Sequence, residues 1–351
     1  MRTYQIGVIG ANGIGPAYFG NIQKRWPFLG LYAVCDLVEE RAVRAKELYG
    51  FQYACTDYRE MLKDPRIDIV LNLTRPQQHY AITRDALMSG KHVYTEKPLA
   101  TQLAQAKELA ELARQKGLML CGAPDTCLGA GIQACRSFLQ SGEMGEVYAC
   151  SAVMLCRGHE ERFPDPAFFF RQGCGPVFDI GPYYVTALME LLGGIRRLRG
   201  DSRKPFPRKT VQCPGPHQGE SFPVETPTFV QAQLEFASGV LGSLTLSFDT
   251  WFPQRSRIEL YGTKGTLLVP DPDTFGGPVR LIGRDSREIP ISQENADNSR
   301  GLGLADMALA LDGGTSPAVG SRRLLAVTEV LCALNALSAR DGYVEMENVW
   351  P

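Results

Sequence analysis

The sequence predicts an α/β domain with a doubly wound parallel sheet, followed by an α+β domain built on a large, mainly antiparallel sheet. Three observations carry that expectation. Through residue 122, short apolar runs alternate with helical stretches of ten to sixteen residues. A glycine turn joins the first run to the first helix. Past Pro124 the apolar runs lengthen, take on period-two alternation and are linked by turn signals. Strands that alternate with helices form right-handed βαβ units and hence a parallel sheet, whereas alternating strands joined by tight turns pair antiparallel.

The elements follow in order. Residues 4–9 (YQIGVI) read as the first strand, and residues after the turn at 10–15 as a helix to about Arg25. Trp26-Pro27 stops that helix, because proline lacks an N–H and its ring clashes with the preceding turn. A second strand, 31–35, ends at Asp36, and a helix over 38–49 stops at Gly50. Strands over 67–73, 91–95 and 118–121 then alternate with helices over 77–88 and 101–116, with Thr101 as N-cap of the latter. Beyond them lie a helix over 128–140 and strands over 147–156, 228–236, 240–248, 257–261 and 266–269. Turns at Ala237-Ser238-Gly239 and Gly262-Thr263-Lys264-Gly265 connect neighbouring strands. Residues 196–227 read as a loop-heavy excursion, and the basic run Arg196–Lys209 within it as a solvated strand edge and loop rather than a phosphate patch.

Length and composition bound the class. A chain of 351 residues is long for one domain, so two are expected: 1–122 to bind a dinucleotide, and 123–351 to bind substrate and form the oligomer. A net charge of −1 argues against a nucleic-acid partner and leaves small polar ligands open. No apolar run approaches the ~18–20 residues of a membrane span. The opening MRTYQIGVIG lacks the apolar core and cleavage site of a secretion signal, so a cytoplasmic protein is expected. Ten scattered cysteines without a CxxC pair read as buried reduced thiols, and four histidines without ligand spacing predict no metal site.

Gly10-Ala11-Asn12-Gly13-Ile14-Gly15 follows a strand and opens a helix, the context in which a glycine motif implies dinucleotide binding. Gly10 permits the tight turn, and Gly15 is expected to allow close helix–strand packing. Asn12 takes the place of the usual middle glycine, and asparagine tolerates positive φ. Asp36 ends the second strand 21 residues after Gly15, where a carboxylate accepts from the ribose 2′-hydroxyl. That carboxylate repels a 2′-phosphate, so NAD is favoured, with NADP possible because Arg41 and Arg44 lie nearby.

At Thr95-Glu96-Lys97-Pro98-Leu99-Ala100 the chain resembles the glucose–fructose oxidoreductase / inositol dehydrogenase / MocA family. The resemblance includes the glycine turn, Asp36 and Thr74-Arg-Pro-Gln-Gln-His79. It continues through Gly173-Cys-Gly-Pro-Val-Phe-Asp-Ile-Gly-Pro-Tyr-Tyr184 and Arg300-Gly-Leu-Gly-Leu-Ala-Asp-Met307, and so covers nearly the whole chain. It implies hydride transfer between a nicotinamide cofactor and a CH–OH group of a sugar, glycoside, polyol or cyclitol. It also implies that Lys97 stands at the reacting hydroxyl, with Thr74, Pro76, His79, Glu96 and Lys97 lining the cofactor site.

Asp179 and Tyr183 stand four residues apart and on one helix would share a face. In much of the family the second position is a histidine that acts as acid/base; here it is Tyr183. The proton acceptor is therefore open among Lys97, Tyr183, Tyr184 and His159, with Asp179 holding a substrate hydroxyl or orienting Lys97. His159 and Glu160 follow the strand 147–156, at an edge able to reach substrate. Two alternatives stand beside the sugar reading: a dehydrogenase of a non-sugar cyclic alcohol such as a dihydrodiol, and a non-catalytic NAD-binding regulator. The sheet of the second domain should leave one flat, partly apolar face that a second subunit covers, giving a homodimer or homotetramer.

Overall fold

A computed structural model describes residues 2–251 and 255–348. The chain forms two compact units, one of residues 1–125 with 298–325 and the other of residues 126–297 with 326–351.

The first unit is a six-stranded parallel sheet of order β3-β2-β1-β4-β5-β6. Its elements are β1 (Tyr4–Ile9), α1 (Gly15–Arg25), β2 (Leu29–Cys35), α2 (Glu39–Tyr49), β3 (Tyr53–Cys55) and α3 (Tyr58–Leu62). They continue with β4 (Ile69–Asn72), α4 (Pro76–Met88), β5 (His92–Thr95), α5 (Leu103–Lys116) and β6 (Leu120–Gly122). Ile6, Val8, Val34, Ile69, Val70 and Val93 are buried, as strands covered on both faces require. The order reverses between β1 and β4, and ligands of such sheets bind at the carboxyl ends beside that reversal.

Two expectations need correction here. The short β3 and α3 fall in a stretch without a clear apolar period and were not anticipated. Thr101 does not cap α5: the helix begins at Leu103, with Gln102 as N-cap and no side-chain cap.

A boundary at 122/123 with all later residues in one domain is also overturned. Residues 298–325, including α9 (Leu302–Gly313), belong to the first unit. The Asp125 carboxylate accepts from the N–H groups of Gly301 and Gly303 at 2.9 and 3.2 Å and pairs with Arg300 at 3.2 Å. A Cβ at Gly303 would meet the Tyr94 hydroxyl at 2.5 Å, so a glycine lets α9 approach that ring. The apolar content of α9 announces burial but not the unit against which it is buried.

The second unit holds a nine-stranded sheet of order β16-β15-β14-β13-β7-β12-β11-β8-β17 and a separate β9–β10 ribbon. The first of its elements are α6 (Ala130–Gln140), β7 (Val147–Leu155), α7 (Gly175–Asp179), α8 (Gly181–Leu192), β8 (Ile195–Arg203), β9 (Arg208–Thr210) and β10 (Ser221–Pro223). The rest are β11 (Phe229–Phe236), β12 (Leu241–Ser247), β13 (Arg255–Gly262), β14 (Gly265–Val269), β15 (Val279–Ile282), β16 (Arg287–Ile289), α10 (Ser321–Asn335), which belongs to this unit from Ala326 on, and β17 (Val344–Glu345). Among the described residues only β7 and β12 pair parallel in this sheet; its other pairings are antiparallel. Leu198, Val230, Leu234, Leu244, Ile258 and Leu267 turn to one face and share a core with Phe138 of α6, Leu188 of α8 and Leu331 of α10.

The excursion expected over 196–227 keeps loops over 204–207, 211–220 and 224–227, and β8, β9 and β10 take the rest. Residues 195–203 form β8, next to the sheet edge, where Arg197 and Arg199 stand opposite Glu235 and Gln233 of β11 and bond to them at 2.7 Å each. The arginines are thus strand residues with partners, and Lys209 at the end of the run is buried rather than solvated. Among the described residues no helix is long and apolar enough to cross a membrane.

Candidate functional site

In the first unit the glycine turn is built differently from the sequence expectation. Positive φ falls on Gly10 (98°) and Gly13 (63°), not on Asn12. A Cβ at Gly10 would meet the Leu73 carbonyl oxygen at 2.8 Å, so this glycine lets the turn cross the end of β4. A Cβ at Gly15 would meet the Phe19 ring at 2.9 Å; the residue makes room for a side chain one turn on, not for the strand. Asn12, Gly13 and Ile14 are exposed, and among the described residues their N–H groups meet no protein acceptor. Pro16 opens α1, whose N-cap Ile14 offers no side-chain acceptor, so the helix start is left to an outside anion.

Asp36 lies against this turn. Its Oδ2 accepts from Ala11 N–H at 2.9 Å and its Oδ1 from Val38 N–H at 2.9 Å, and the Arg41 guanidinium is 4.0 Å from Oδ1. Each oxygen keeps lone-pair capacity for a ribose hydroxyl. Open glycine turn, bare N–H groups and carboxylate together fit a dinucleotide with a free 2′-hydroxyl. That cofactor, when bound, supplies the nicotinamide carbon that accepts or gives up hydride.

At the end of β5, Glu96 is buried, with Oε1 accepting from the Tyr18 hydroxyl of α1 at 2.7 Å and Oε2 from Lys97 N–H at 3.0 Å. Glu96, expected to line the cofactor site, ties α1 to the backbone of Lys97. Burial, then the Glu96 charge, raises the Tyr18 pKa, which keeps the phenol a donor. Lys97 itself is half-buried, and the Lys97–Pro98 peptide is cis.

His79, also expected to line the cofactor site, is buried. Its Nδ1 lies 2.7 Å from the Pro98 carbonyl and its Nε2 2.8 Å from the Thr74 carbonyl, so it bridges the two loops from beneath. Burial pushes its pKa down, against the two carbonyls, which push it up. Thr74 donates its hydroxyl to Asn72 Oδ1 at 2.7 Å, and Pro76 starts α4.

In the second unit Asp179 and Tyr183 do not share a helix. α7 ends at Asp179 and α8 starts at Gly181, because Pro182 has no N–H to donate to Phe178 and continue the ladder. Tyr183 is buried in the core of this unit. Tyr184 is fully buried against Ser256, and burial raises its pKa.

Asp179 is half-exposed, and its Oδ2 lies 3.0 Å from Nε2 of His159. The His159 ring is boxed by Phe163, Phe169 and Phe248, with centroids 5.2, 4.0 and 4.6 Å away. Its buried Nδ1 meets no hydrogen-bond partner among the described residues. His159 therefore backs Asp179 rather than facing outward. The next residue, Glu160, pairs through Oε1 with Lys209 Nζ at 2.8 Å, and Asp249 Oδ1 stands 2.8 Å from the same nitrogen, off-angle for a hydrogen bond. Lys209, Asp249, Tyr18 and Asp125 were not anticipated; each acts through partners far away in sequence, and no local pattern marks them.

Comparison with known proteins places these features. A family model described as the oxidoreductase family with an NAD-binding Rossmann fold matches residues 4–122, and the C-terminal domain model of the same family matches 132–268. Trans-1,2-dihydrobenzene-1,2-diol dehydrogenase of Oryctolagus cuniculus is 26% identical over 72% of this chain and 71% of its own length. Myo-inositol 2-dehydrogenase of Thermotoga maritima is 24% identical over 76% and 75%. A solved levoglucosan dehydrogenase in complex with NADH superposes with a TM-score of 0.85 over 98% of this chain and 99% of that one, at 17% identity. With both family domains matched and the dinucleotide turn in place, the chain belongs to the GFO/IDH/MocA family of NAD-dependent oxidoreductases.

Proposed function

We propose that this oxidoreductase moves hydride between NAD and a CH–OH group of an uncharged sugar, glycoside, polyol or cyclitol. The observation that supports it is the Tyr18–Glu96–Lys97 chain, which fastens the backbone of Lys97, at the carboxyl end of β5, to the helix of the dinucleotide turn. In this reading Lys97 takes the hydroxyl proton as hydride leaves carbon, and returns it in the reverse direction. Asp179, held by His159, accepts from a substrate hydroxyl. The inositol and levoglucosan enzymes among its relatives act on polyhydroxylated rings, in line with this substrate class. Tyr183 takes no part, and His159 is a positioning residue.

A trans-diol on a non-sugar ring is the second reading, favoured by the phenylalanines around His159 and by the dihydrodiol dehydrogenase relative. We place the enzyme in the cytoplasm, with its ten cysteines as free thiols. We also propose a homodimer or homotetramer formed through the uncovered sheet face, where Ala149, Ser151 and Val153 present small side chains.

The test is absorbance at the NADH band with NAD and a panel of sugars, glycosides, cyclitols and trans-dihydrodiols, beside Lys97→Ala. Turnover of polyhydroxylated rings, lost in the variant, is the expected result. Turnover of dihydrodiols alone favours the second reading. NADH binding by calorimetry with no turnover in either direction refutes both and leaves a cofactor-binding regulator.

A further inference from the structure

A cleft of about 190 Å³ opens on the second unit, and its lining is unlike an ordinary surface dimple. Trp251 stands at one side, 77% exposed, with the Arg157 guanidinium 3.0 Å from its ring centroid. One indole face is thus taken by Arg157, and the exposed surface is turned the other way. Phe206 adds a second exposed ring, and Arg208 and Gln212 add planar polar groups. The floor is the buried Glu160–Lys209–Asp249 cluster.

The charges balance once Glu161 is counted: Lys209 meets Glu160 and Asp249, Arg157 is paired with Glu161 at 2.8 Å, and the Arg208 guanidinium donates to Ser221. An anion would want a surplus of cations, and a purely apolar ligand would leave the Gln212 amide and the polar rim of the cleft without new partners. A neutral ring with one C–H face and a rim of hydroxyls meets both requirements, since aromatic faces take the C–H side and planar polar groups take the hydroxyls. The walls are tied together, because Gln212 and Cys213 donate their N–H groups to the Glu160 carbonyl at 2.8 and 2.9 Å.

Glu160 directly follows His159 in one turn of 3-10 helix, so the cleft begins one residue from the side chain that holds Asp179. We propose that the cleft is a second saccharide subsite, and that the substrate is a disaccharide or longer glycoside whose second ring rests on Trp251 and Phe206. This rests on the sugar reading of Asp179 for its link to catalysis, but the cleft can be tested by binding alone.

The experiment pairs cellobiose, maltose and lactose with the methyl glycoside of each non-reducing sugar, on the full chain with NADH present. Saturation-transfer NMR and calorimetry read binding, and NAD reduction reads turnover. One disaccharide is expected to bind about tenfold more tightly than its methyl glycoside. In Trp251→Ala and in Phe206→Ala that advantage disappears, and the kcat/KM ratio of disaccharide to methyl glycoside falls about tenfold. Circular dichroism confirms the fold of both variants, whose altered side chains are exposed.

If disaccharide and methyl glycoside bind alike and neither variant changes the ratio, the subsite is overturned while the dehydrogenase reading stands. Disaccharide binding that Trp251→Ala abolishes, with no sugar turned over, supports the subsite and refutes the dehydrogenase reading. Phenyl β-D-glucoside binding as tightly as the best disaccharide overturns the saccharide assignment, because the hydroxyls of the second ring then contribute nothing.

Discussion

Replacing Lys209 with methionine keeps the length of the stem and removes the charge. The Lys209 side chain is 7% exposed, and the Glu160 and Asp249 side chains that face it are each 5% exposed, so the substitution leaves two carboxylates in a dry site. Asp249 retains the Thr228 hydroxyl as a donor to Oδ2. Glu160 has no such reserve, because its Oε2 is buried without a hydrogen-bond partner and Lys209 is the donor to Oε1. Removing one partner of a buried ion pair costs about 3–5 kcal/mol. For a unit of this size, at ~2–4 °C per kcal/mol, the melting temperature should fall by roughly 6–20 °C. The assay is differential scanning calorimetry on the full chain, where the two units can give separate transitions and the loss belongs to one of them. The double variant Lys209→Met with Glu160→Gln removes one stranded charge and should recover about half of the loss. A loss below ~1 kcal/mol in the single variant, typical of exposed pairs, refutes the reasoning. So does a double variant no better than the single.

Three further outcomes follow from the first unit. Asp36→Ala takes the acceptor from the Ala11 and Val38 N–H groups and should weaken NADH binding about tenfold, roughly 1.4 kcal/mol, in a fluorescence titration; unchanged affinity would remove Asp36 from the site. Tyr18→Phe strands the buried Glu96 Oε1 and should cost about 1–3 kcal/mol in urea denaturation, with NADH binding weakened as well. The Arg66 guanidinium, bonded to both Asp64 oxygens at 2.9 Å, holds that carboxyl near about 2. Because the folded value is depressed, its stabilisation is present above the ordinary carboxylate range and is lost as pH falls toward 2. In Arg66→Ala the Asp64 titration, followed by carbon NMR of the carboxyl, should move up into the ordinary range.

What the sequence disclosed and what it withheld divide along the range of the interactions concerned. The strand, turn, helix and Asp36 of the dinucleotide site are legible because each step is set within a few residues. A glycine with φ of 98° crossing the end of β4 leaves its mark as a glycine, whatever the rest of the chain does. Where several residues could satisfy one turn, the reading slipped: Asn12 was given the positive φ that Gly13 takes. The shared helix of Asp179 and Tyr183 failed for a local reason that was legible, since Gly181-Pro182 lies between them and proline cannot donate to Phe178. The return of residues 298–325 to the first unit could not be read, because it depends on Asp125 meeting Gly301 and Gly303 across more than 170 positions.

The proton chemistry assigned by family pattern shows the same division. Tyr183 occupies a position where much of the family carries a histidine, and position alone made it a candidate. It is buried in the core, and the histidine near Asp179 comes from residue 159, on a different element. An imidazole at 159 cannot stand in for one at 183, because its free nitrogen is buried among phenylalanines while its bonded nitrogen is spent on Asp179. Tyr184 is also buried against Ser256, and the proposed mechanism therefore gives the hydroxyl proton to Lys97. The activity of Lys97→Ala is accordingly the sharper probe of mechanism, and that of His159→Asn should show a raised KM before any loss in kcat.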